Sequence, residues 1–281
     1  MIKMVEELAR KEAIEFLGIP EKHFDNYFKS SREIKGFKKR NRWYFNKDQL
    51  IRWDELRKSR IVKLTLDEYG KCFEFAIKMA YSSRASHGTG IRGVRSEVQM
   101  ADDFILGILA EFGVKKFLDK KFNVGIIINT EIYYGEIVPQ DFDGIIDKGK
   151  RRAVKLGVAV KSSKMKSCFN IIPPIEYEND NRKSDVYIFV RVGLPSDHLF
   201  RILREHSFFK NVKDFLEKSE GFRKIKELKE IPIWICGFSY FDEFKKTEEI
   251  PGQKFDGHRY VSSVAYMHNS GKDWKSFISK L

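Results

Sequence analysis

The chain has 281 residues, of which 42% are hydrophobic and 14% aromatic, so it can bury a sizeable core and wholesale disorder is excluded. A net charge of +13, from 53 Lys and Arg against 40 Asp and Glu, favours a polyanionic partner such as nucleic acid, although a basic soluble protein without one would have the same balance. Three widely separated cysteines and the lack of a long apolar window exclude a disulfide framework, a zinc knuckle and a membrane span, and predict a cytoplasmic protein.

The first sixty residues read as a separate module. Apolar residues recur at helical spacing over 9–18, and Gly18 marks the end of that helix. A second helix opens at Pro20, and KGFKKRNRWYFN then reads as two short strands around a tight basic turn. A third helix begins at Asn46. Helix, turn, helix, basic hairpin and helix is the order of a winged helix-turn-helix, so residues 1–60 are predicted to form such a domain.

This module resembles the MerR/excisionase type of DNA-binding domain over residues 8–57, through EAIEFLGIPEKHFDNYFK and NRWYFNKDQLIRW. The resemblance implies that the second helix enters the major groove and that the wing contacts the DNA backbone. Residues 1–60 contain 16 Lys and Arg against 10 Asp and Glu, which suits phosphate contact. A small helical bundle used for protein contacts is the alternative. The DNA-contacting residues that the resemblance implies are Lys22, His23, Asn26 and Lys29 on the second helix, and Lys38, Lys39, Arg40 and Arg42 on the wing.

The rest of the chain, residues 61–281, begins with helices and continues with strands. LTLDEYGKCFEFAIKMAYSSR carries a helical apolar stripe, a basic loop with glycines follows, and a second long helix begins after Ser96. The apolar period then changes to two in VGIIIN, EIYYGEIV, DFDGIID, AVKLGVAVKSS and DVYIFVRVGL. SDHLFRILREHSFFKNVKDFLEK returns to helix, IPIWICGFSY is a further strand, and the chain ends in a short helix. This order predicts an α/β domain with a central mixed sheet flanked by helices.

Acidic residues lie on one face of the strand DFDGIID, and the strand that follows ends in a lysine. Asp141, Asp143 and Asp147 alternate at period two, and Lys161 closes GVAVK after a turn at DKGKRR. Two such strands can run alongside each other and bring an aspartate and a lysine together. Carboxylates can bind Mg²⁺, and a lysine can orient the water that attacks a phosphodiester. An ordinary hairpin with exposed charges is the alternative.

Over residues 90–281 the sequence resembles the PD-(D/E)XK nuclease superfamily, which includes most type II restriction endonucleases. VPQDFDGIID matches the aspartate that opens an apolar strand, and VAVKSSK supplies the lysine of the acid-x-lysine element. The resemblance implies a restriction endonuclease-like fold. It also implies that Asp143 ligates the metal, that Lys161 assists the attacking water, and that Glu97 is a helix-borne acid near the metal.

The chain departs from this family pattern at Ala159, where the family has an acid. One interpretation is that Glu97 or Asp141 supplies the missing carboxylate beside Asp143. The other is that the nuclease is degenerate and only binds DNA.

Two further segments have a composition suited to DNA contact. A flexible basic loop precedes the long helix that begins after Ser96, and a polar and basic stretch follows the candidate lysine. The second of these would equally suit a solvated turn. The residues concerned are Arg84, His87, Arg92 and Arg95 in the loop, and Ser162, Ser163 and Lys164 in the stretch after Lys161.

Together these motifs predict a type II restriction endonuclease that hydrolyses double-stranded DNA at a specific sequence and uses Mg²⁺. A palindromic target would require a homodimer, and a DNA methyltransferase would be a genetic rather than a physical partner. Two alternatives stay open. One is a sequence-specific DNA-binding regulator with a degenerate nuclease domain, and the other is a structure-specific DNA repair nuclease.

Overall fold

The computed structural model describes residues 6–81, 96–128, 140–147, 149–221 and 223–281. The predicted strand EIYYGEIV and the basic loop that carries Arg84, His87, Arg92 and Arg95 lie outside these ranges. Within the described ranges, no helix is both long enough and apolar enough to cross a bilayer.

Residues 7–59 form a small unit of helices and strands whose sequence contains the signals that end its elements. Gly18 closes the first helix at φ 60°, and Arg40 and Asn41 make the tight hairpin turn at positive φ. Asn46 caps the third helix by accepting a hydrogen bond from the Gln49 amide at 3.1 Å. The elements are β1 (Glu7–Ala9), α1 (Arg10–Leu17), α2 (Glu21–Asp25), a π-helical turn (Asn26–Ser30), β2 (Phe37–Lys39), β3 (Arg42–Asn46) and α3 (Lys47–Ser59).

The three strands of this unit pair antiparallel in the order β1-β3-β2. The predicted succession of helices and basic hairpin is present. Strand β1 and the π-helical turn are additions that the sequence pattern did not indicate.

The remaining described residues contain the rest of the helices and strands, in an α/β arrangement. They are β4 (Ile61–Thr65), α4 (Leu66–Ala80), α5 (Glu97–Phe122), β5 (Val124–Ile128), β6 (Phe142–Asp147), β7 (Lys150–Arg152), β8 (Val158–Lys164), β9 (Phe169–Ile172), α6 (Pro174–Tyr177), β10 (Val186–Val192), α7 (His198–Leu203), α8 (Ser207–Lys218), β11 (Glu230–Tyr240), β12 (Lys245–Ile250), β13 (Gln253–Ser263) and α9 (Gly271–Lys280), with 3-10 turns at Phe241–Glu243 and Val264–Tyr266.

A mixed four-stranded sheet lies at the centre, in the order β4-β11-β10-β8. Strands β8 and β10 are parallel, with Lys161 opposite Phe189, and the other two pairings are antiparallel. Antiparallel sheets β5-β6-β7 and β12-β13-β9 accompany it. Strand β8 lies at the edge of the four-stranded sheet, and the chain entering β6 adjoins that edge, because the Asp141 amide donates to the Val158 carbonyl at 3.2 Å. The predicted mixed sheet flanked by helices is therefore present.

Successive side chains of β10 point to opposite faces of the sheet. Ile188 and Val190 join the core formed with α4, α5 and α9, and Phe189 belongs to a second buried cluster on the other face. Helix α5 lies very close to the sheet at Gly113, where a Cβ would come within 2.3 Å of the Ile233 side chain. This approach fixes the depth at which α5 presents its other side chains.

The N-terminal unit packs on that second face of the sheet. Phe24, Tyr27 and Phe45 are buried in one cluster with Phe189 and Trp234. The predicted boundary near residue 60 falls between the end of α3 and the start of β4, and buried side chains from both sides of it share this cluster.

A buried ion pair crosses the same contact and is referred to below as the Arg191 cluster. The Arg191 guanidinium, with 0% of its side chain exposed, donates to both carboxylate oxygens of Glu33 at 3.1 and 2.6 Å and to the Ser167 carbonyl. It also contacts the rings of Tyr27 and Trp234, at 4.5 and 4.3 Å from their centroids. Arg191 meets the carboxylate of Glu33 directly, and a second arginine, Arg60, lies within electrostatic reach of both and donates to the Cys236 carbonyl.

Candidate active site

Asp141 lies beside the edge strand β8, just before β6 begins. Its Oδ2 accepts a hydrogen bond from the Val160 amide at 2.6 Å, and its own amide donates to the Val158 carbonyl at 3.2 Å. The exposed backbone edge of β8 thus holds this aspartate from two sides. The carboxylate is fixed one residue away from Lys161 along the strand.

Lys161 is half-buried on β8 and forms an ion pair with Glu176, at 2.6 Å between Nζ and Oε1. Glu176 belongs to the short helix α6, whose position is set by a stack of aromatic rings. The Tyr177 ring lies 3.7 Å from that of Tyr260 and 4.2 Å from that of Phe241, centroid to centroid, and the Tyr177 hydroxyl donates to the Phe241 carbonyl. The stack holds Glu176 against Lys161.

Glu111 on α5 is the third carboxyl group of this site. Burial raises the pKa of Glu111 well above its ordinary value, the negative charge of Asp141 raises it further, and the positive charge of Lys161 acts in the opposite direction. These interactions place Glu111 within electrostatic reach of both residues. Glu111, Asp141, Lys161 and Glu176 are called the Lys161 cluster below.

Opposing influences also act on the pKa of Asp141. Burial raises the pKa of Asp141, and Glu176 adds to the rise, while Lys161 and the Val160 amide lower it. The Lys161 cluster therefore contains three carboxyl groups and one ammonium group. The raised pKa values of Glu111 and Asp141 favour their protonated forms, and Arg182 also lines the adjoining cleft.

A cleft of about 180 Å³ opens at this cluster. Asp141, Ala159, Lys161, Glu176 and Arg182 are among the residues that line it. Ala159, which stands where the family pattern has an acid, therefore faces the same cleft as the lysine. The carboxylate of Glu176 enters that cleft from α6 instead.

The carboxyl oxygens of the Lys161 cluster are of the hard type that Mg²⁺ prefers. Among the described residues, no group of three or more His, Cys, Asp or Glu side chains is arranged to hold a metal ion together. Mg²⁺ usually keeps several waters and binds through one or two carboxylates, with substrate phosphates supplying further oxygens. Asp141 and Glu111 offer two hard oxygen ligands whose mutual repulsion a divalent cation would relieve.

Two acidic residues singled out in the sequence lie elsewhere. Asp143 is exposed and occupies the extra position of a β-bulge, since Ile127 pairs with Gly144 and Ile128 with Phe142. Glu97 is exposed in the first turn of α5, and 14 residues of helix separate it from Glu111, about 21 Å along the axis. Asp141 lines the cleft, and Glu111 on α5 lies within electrostatic reach of it.

Sequence reasoning missed Glu111 and Glu176, and a signal existed for only one of them. Glu111 lies in ILGILAEFGV, where it is the one charged residue in a buried apolar stretch of helix. A lone acid at such a position is costly to bury unless it has a function or a partner, and this marks it as a candidate. Glu176 follows Pro-Pro-Ile in an irregular segment, where no periodicity predicts its direction.

The residues predicted to contact DNA on the second helix divide into two groups. Lys22 and Lys29 are exposed, with Lys29 paired to Asp25 at 3.2 Å. His23 and Asn26 face the body of the protein: Asn26 Nδ2 donates to the Lys166 carbonyl at 2.8 Å, and burial, with the charges of Arg191 and Lys166, lowers the pKa of His23. Fewer residues of this helix are therefore available to contact DNA than the sequence alone indicates.

The wing presents an exposed basic surface. Lys38 lies 5.3 Å from the Trp43 ring centroid, Lys39 pairs with Glu7 at 2.5 Å, and Arg40 and Arg42 are exposed. All four side chains are at the surface.

On β8 beyond Lys161, the predicted phosphate contacts differ in exposure. Ser162 and Ser163 are half-buried, Ser163 Oγ donates to Ser167 Oγ at 2.6 Å, and Lys164 is exposed. The remaining predicted contacts, Arg84, His87, Arg92 and Arg95, lie outside the described residues.

Comparison of the chain with protein-family models, curated proteins and solved structures gave no match. The class of protein is therefore inferred from the Lys161 cluster and from the sequence motifs that surround it.

Proposed function

We propose that this protein is a Mg²⁺-dependent endonuclease of the PD-(D/E)XK superfamily, a type II restriction enzyme that cuts double-stranded DNA at a specific sequence. The proposal includes a restriction endonuclease-like fold for residues 61–281 and a winged helix-turn-helix for residues 1–60. The observation that carries it is the Lys161 cluster, in which the pKa values of Asp141 and Glu111 are both raised, and Asp141 adds to the rise at Glu111, beside a half-buried lysine.

A structural role alone does not explain this arrangement. Buried carboxylates that repel each other cost free energy, and a fold that retains them without a matching number of cations is destabilised by them. Perturbed acids in a cleft are typical of functional sites. A bound divalent cation would offset the repulsion between these carboxylates, because both would coordinate it.

Each residue of the cluster has a role in the proposed reaction. Asp141 and Glu111 would hold Mg²⁺, which when bound lowers the pKa of water and offsets charge on the phosphate. Lys161 would orient the attacking water and stabilise negative charge as the phosphodiester is cleaved. Glu176 would hold the ammonium group of Lys161 in place before DNA enters the cleft.

The substrate class follows from charge. A net charge of +13 favours a polyanionic substrate, whose phosphates would supply further oxygens to the metal. Exposed Lys22, Lys29, Arg40 and Arg42 on the N-terminal unit supply candidate backbone contacts. Cytoplasmic location, a homodimer on a palindromic target and a cognate methyltransferase as genetic partner belong to the same proposal.

The direct test is cleavage of supercoiled plasmid with Mg²⁺ and with EDTA. Asp141→Asn should lower the cleavage rate about 100-fold or more, because it removes a ligand whose charge acts on the reacting phosphate. DNA binding by this variant should persist. Asp143→Asn, two residues further along the chain, is the matched control and should cleave at nearly the normal rate. Loss of cleavage in Asp143→Asn with normal cleavage in Asp141→Asn would instead indicate that Asp143 holds the metal.

A DNA-binding regulator with a degenerate nuclease body is the second candidate. The observations that favour it are Ala159 in the acid position and the neutralisation of Lys161 by Glu176. Such a protein would shift DNA in gels with Mg²⁺ and with EDTA and cut it in neither. Cutting confined to junctions or flaps would instead indicate a repair nuclease.

A further inference from the structure

Arg182 is a cationic residue of the cleft that does not belong to the Lys161 cluster. It is half-buried, and its side chain is among those that line the cleft of about 180 Å³. Among the residues that the structure describes, the Arg182 guanidinium forms no ion pair and no hydrogen bond. A guanidinium has five N–H donors, so those of Arg182 are available to a ligand that enters the cleft.

The segment that carries Arg182, residues 179–185, is held by hydrogen bonds near both of its ends. The Arg182 amide donates to the Asn179 carbonyl at 2.9 Å, which closes a turn. Ser184 Oγ donates to Gln140 Oε1 at 2.8 Å, and both of these residues also line the cleft. The backbone of Arg182 is therefore fixed before a ligand binds, which lowers the entropic cost of binding.

Other charged side chains of this segment have partners within the protein. Lys183 Nζ pairs with Asp180 Oδ1 at 2.5 Å, and Asp185 Oδ2 accepts a hydrogen bond from the Gly157 amide at 2.7 Å. Arg182 differs from them, because its charge is partly removed from water without such a partner. A half-buried charge without a partner costs free energy, and this cost is offset when an anion binds.

The Lys161 cluster does not supply the missing counter-charge. Glu176 is paired with Lys161 at 2.6 Å, and the charges that shift the pKa of Asp141 are those of Lys161 and Glu176. Arg182 therefore lines the same cleft as these carboxyl groups without being neutralised by them.

Part of the cleft wall is apolar. Val158, Ala159, Pro173 and Ile175 line it, and Ile175 is 48% exposed. A guanidinium suits the oxygens of a phosphate group, and apolar side chains suit a sugar or a base. A nucleotide unit has both parts, whereas inorganic phosphate would use the guanidinium alone.

We infer that Arg182 binds a phosphate group of a nucleotide in this cleft, with the sugar of that nucleotide packed against the apolar wall. The inference rests on the proposed function for the identity of the nucleotide as part of a DNA strand. Binding at Arg182 itself requires neither Mg²⁺ nor cleavage.

Fluorescence anisotropy of a labelled mixed-sequence duplex, measured in EDTA, tests the contact without cleavage. Arg182→Gln should weaken binding about 10-fold, as loss of a hydrogen-bonded charge contact does. The slope of log affinity against log salt concentration should also fall by about one, because one phosphate contact is lost. Arg182→Lys keeps the charge without the planar arrangement of donors and should recover part of the affinity.

Lys183→Gln is the matched control. It removes the same charge one residue away, from a side chain that is paired with Asp180 and is not among those lining the cleft. Its affinity for the duplex and its salt slope should be close to those of the wild type.

Phosphorus NMR of two small probes distinguishes the sources of the phosphate group. The wild type should broaden the signal of deoxyadenosine monophosphate more than that of inorganic phosphate, because only the nucleotide contacts the apolar wall. Arg182→Gln should remove most of the nucleotide broadening, and Lys183→Gln should retain it.

Three results would overturn the inference: unchanged binding of the duplex and the nucleotide by Arg182→Gln, an equal loss in Lys183→Gln, or broadening of inorganic phosphate alone by the wild type. Thermal unfolding checks that the variants are folded, as expected for side chains at the surface or in the cleft. Duplex binding that depends on Arg182, without cleavage in Mg²⁺, would count against the proposed function and leave this inference standing.

Discussion

The Arg191 cluster and the Lys161 cluster are both groups of charged residues taken out of water, and they differ in charge balance. In the Arg191 cluster one guanidinium meets one carboxylate and two aromatic rings. In the Lys161 cluster one ammonium group faces three carboxyl groups beside a cleft. In the first, the carboxylate of Glu33 is met by Arg191, with Arg60 within electrostatic reach, and in the second the carboxyl groups outnumber the single ammonium group. The group that lacks a full counter-charge is therefore a cation in one cluster and a carboxyl group in the other.

The largest expected change in stability comes from removing the counter-charge of Arg191. Glu33→Gln leaves the Arg191 guanidinium buried without its counter-charge, so the free energy of unfolding should fall by about 3–5 kcal/mol. Urea unfolding followed by tryptophan fluorescence measures the change. The double variant Glu33→Leu with Arg191→Met should recover most of the loss, because it removes both charges together; equal losses in the two variants would contradict the assignment.

In the Lys161 cluster, removal of a carboxylate is expected to raise the free energy of unfolding instead of lowering it. Glu111→Gln removes one of two mutually repelling carboxylates and should raise the free energy of unfolding at pH 7.5 by about 2 kcal/mol, in the range seen when buried charges are replaced. Cleavage should be lost at the same time. A destabilised Glu111→Gln variant would mean that Glu111 is held by favourable contacts, and the comparison between the two clusters would fail.

The pH dependence of Glu111 follows from its raised pKa. Because the folded protein favours the protonated carboxyl, the stabilising contribution of Glu111 is present below the ordinary pKa of 4.5 and is lost as pH rises through the higher folded value. The stability difference between the Glu111→Gln variant and the wild type should therefore shrink as pH is lowered from about 8 towards 5. Thermal unfolding at a series of pH values measures it.

Mg²⁺ should stabilise the wild type in proportion to its occupancy. At ten times the dissociation constant, binding to the folded state adds about 1.4 kcal/mol, and the melting temperature should rise accordingly. Asp141→Asn should abolish the rise, and Glu33→Gln should retain it although its baseline is lower. An equal rise in Asp141→Asn would place the binding elsewhere.

The smallest effect is expected from Glu176. Its ion pair with Lys161 leaves 21% of the Glu176 side chain and 30% of the Lys161 side chain exposed, so solvent screens it. Glu176→Gln should change the free energy of unfolding by less than about 1 kcal/mol. Glu230→Gln, which breaks the more exposed pair with Lys63, is the control for a surface ion pair and should have almost no effect.

Local sequence signals were sufficient for most of the fold and for half of the candidate site. The period of two located β8 and β10, and the cap at Asn46 and the stop at Gly18 fixed the helix ends. The strand pattern and the family resemblance singled out Lys161, with Asp143 preferred as metal ligand and Asp141 kept as its neighbour. These features depend on neighbours in sequence, which is why they could be read directly.

The choice between Asp141 and Asp143 and the identity of the other carboxylates required tertiary information. Equal spacing on a regular strand gave the two aspartates the same face, and the bulge at Asp143 separates them. Glu111 acts on Asp141 from α5, and Glu176 lines the cleft because Tyr177 stacks between Tyr260 and Phe241. None of these contacts can be predicted from the periodicity of the sequence.

The register of β10 links the N-terminal unit to the cleft by a single strand pairing. Phe189, buried beneath the N-terminal unit, is the strand partner of Lys161, so the two sites are one hydrogen-bonded spacing apart in the sheet. The strands of a sheet lie about 4.8 Å apart and do not slide independently. Under the proposed function, the distance between the DNA-binding surface and the cleavage site would therefore be constant. An enzyme built in this way would cut at a set number of base pairs from the sequence it reads.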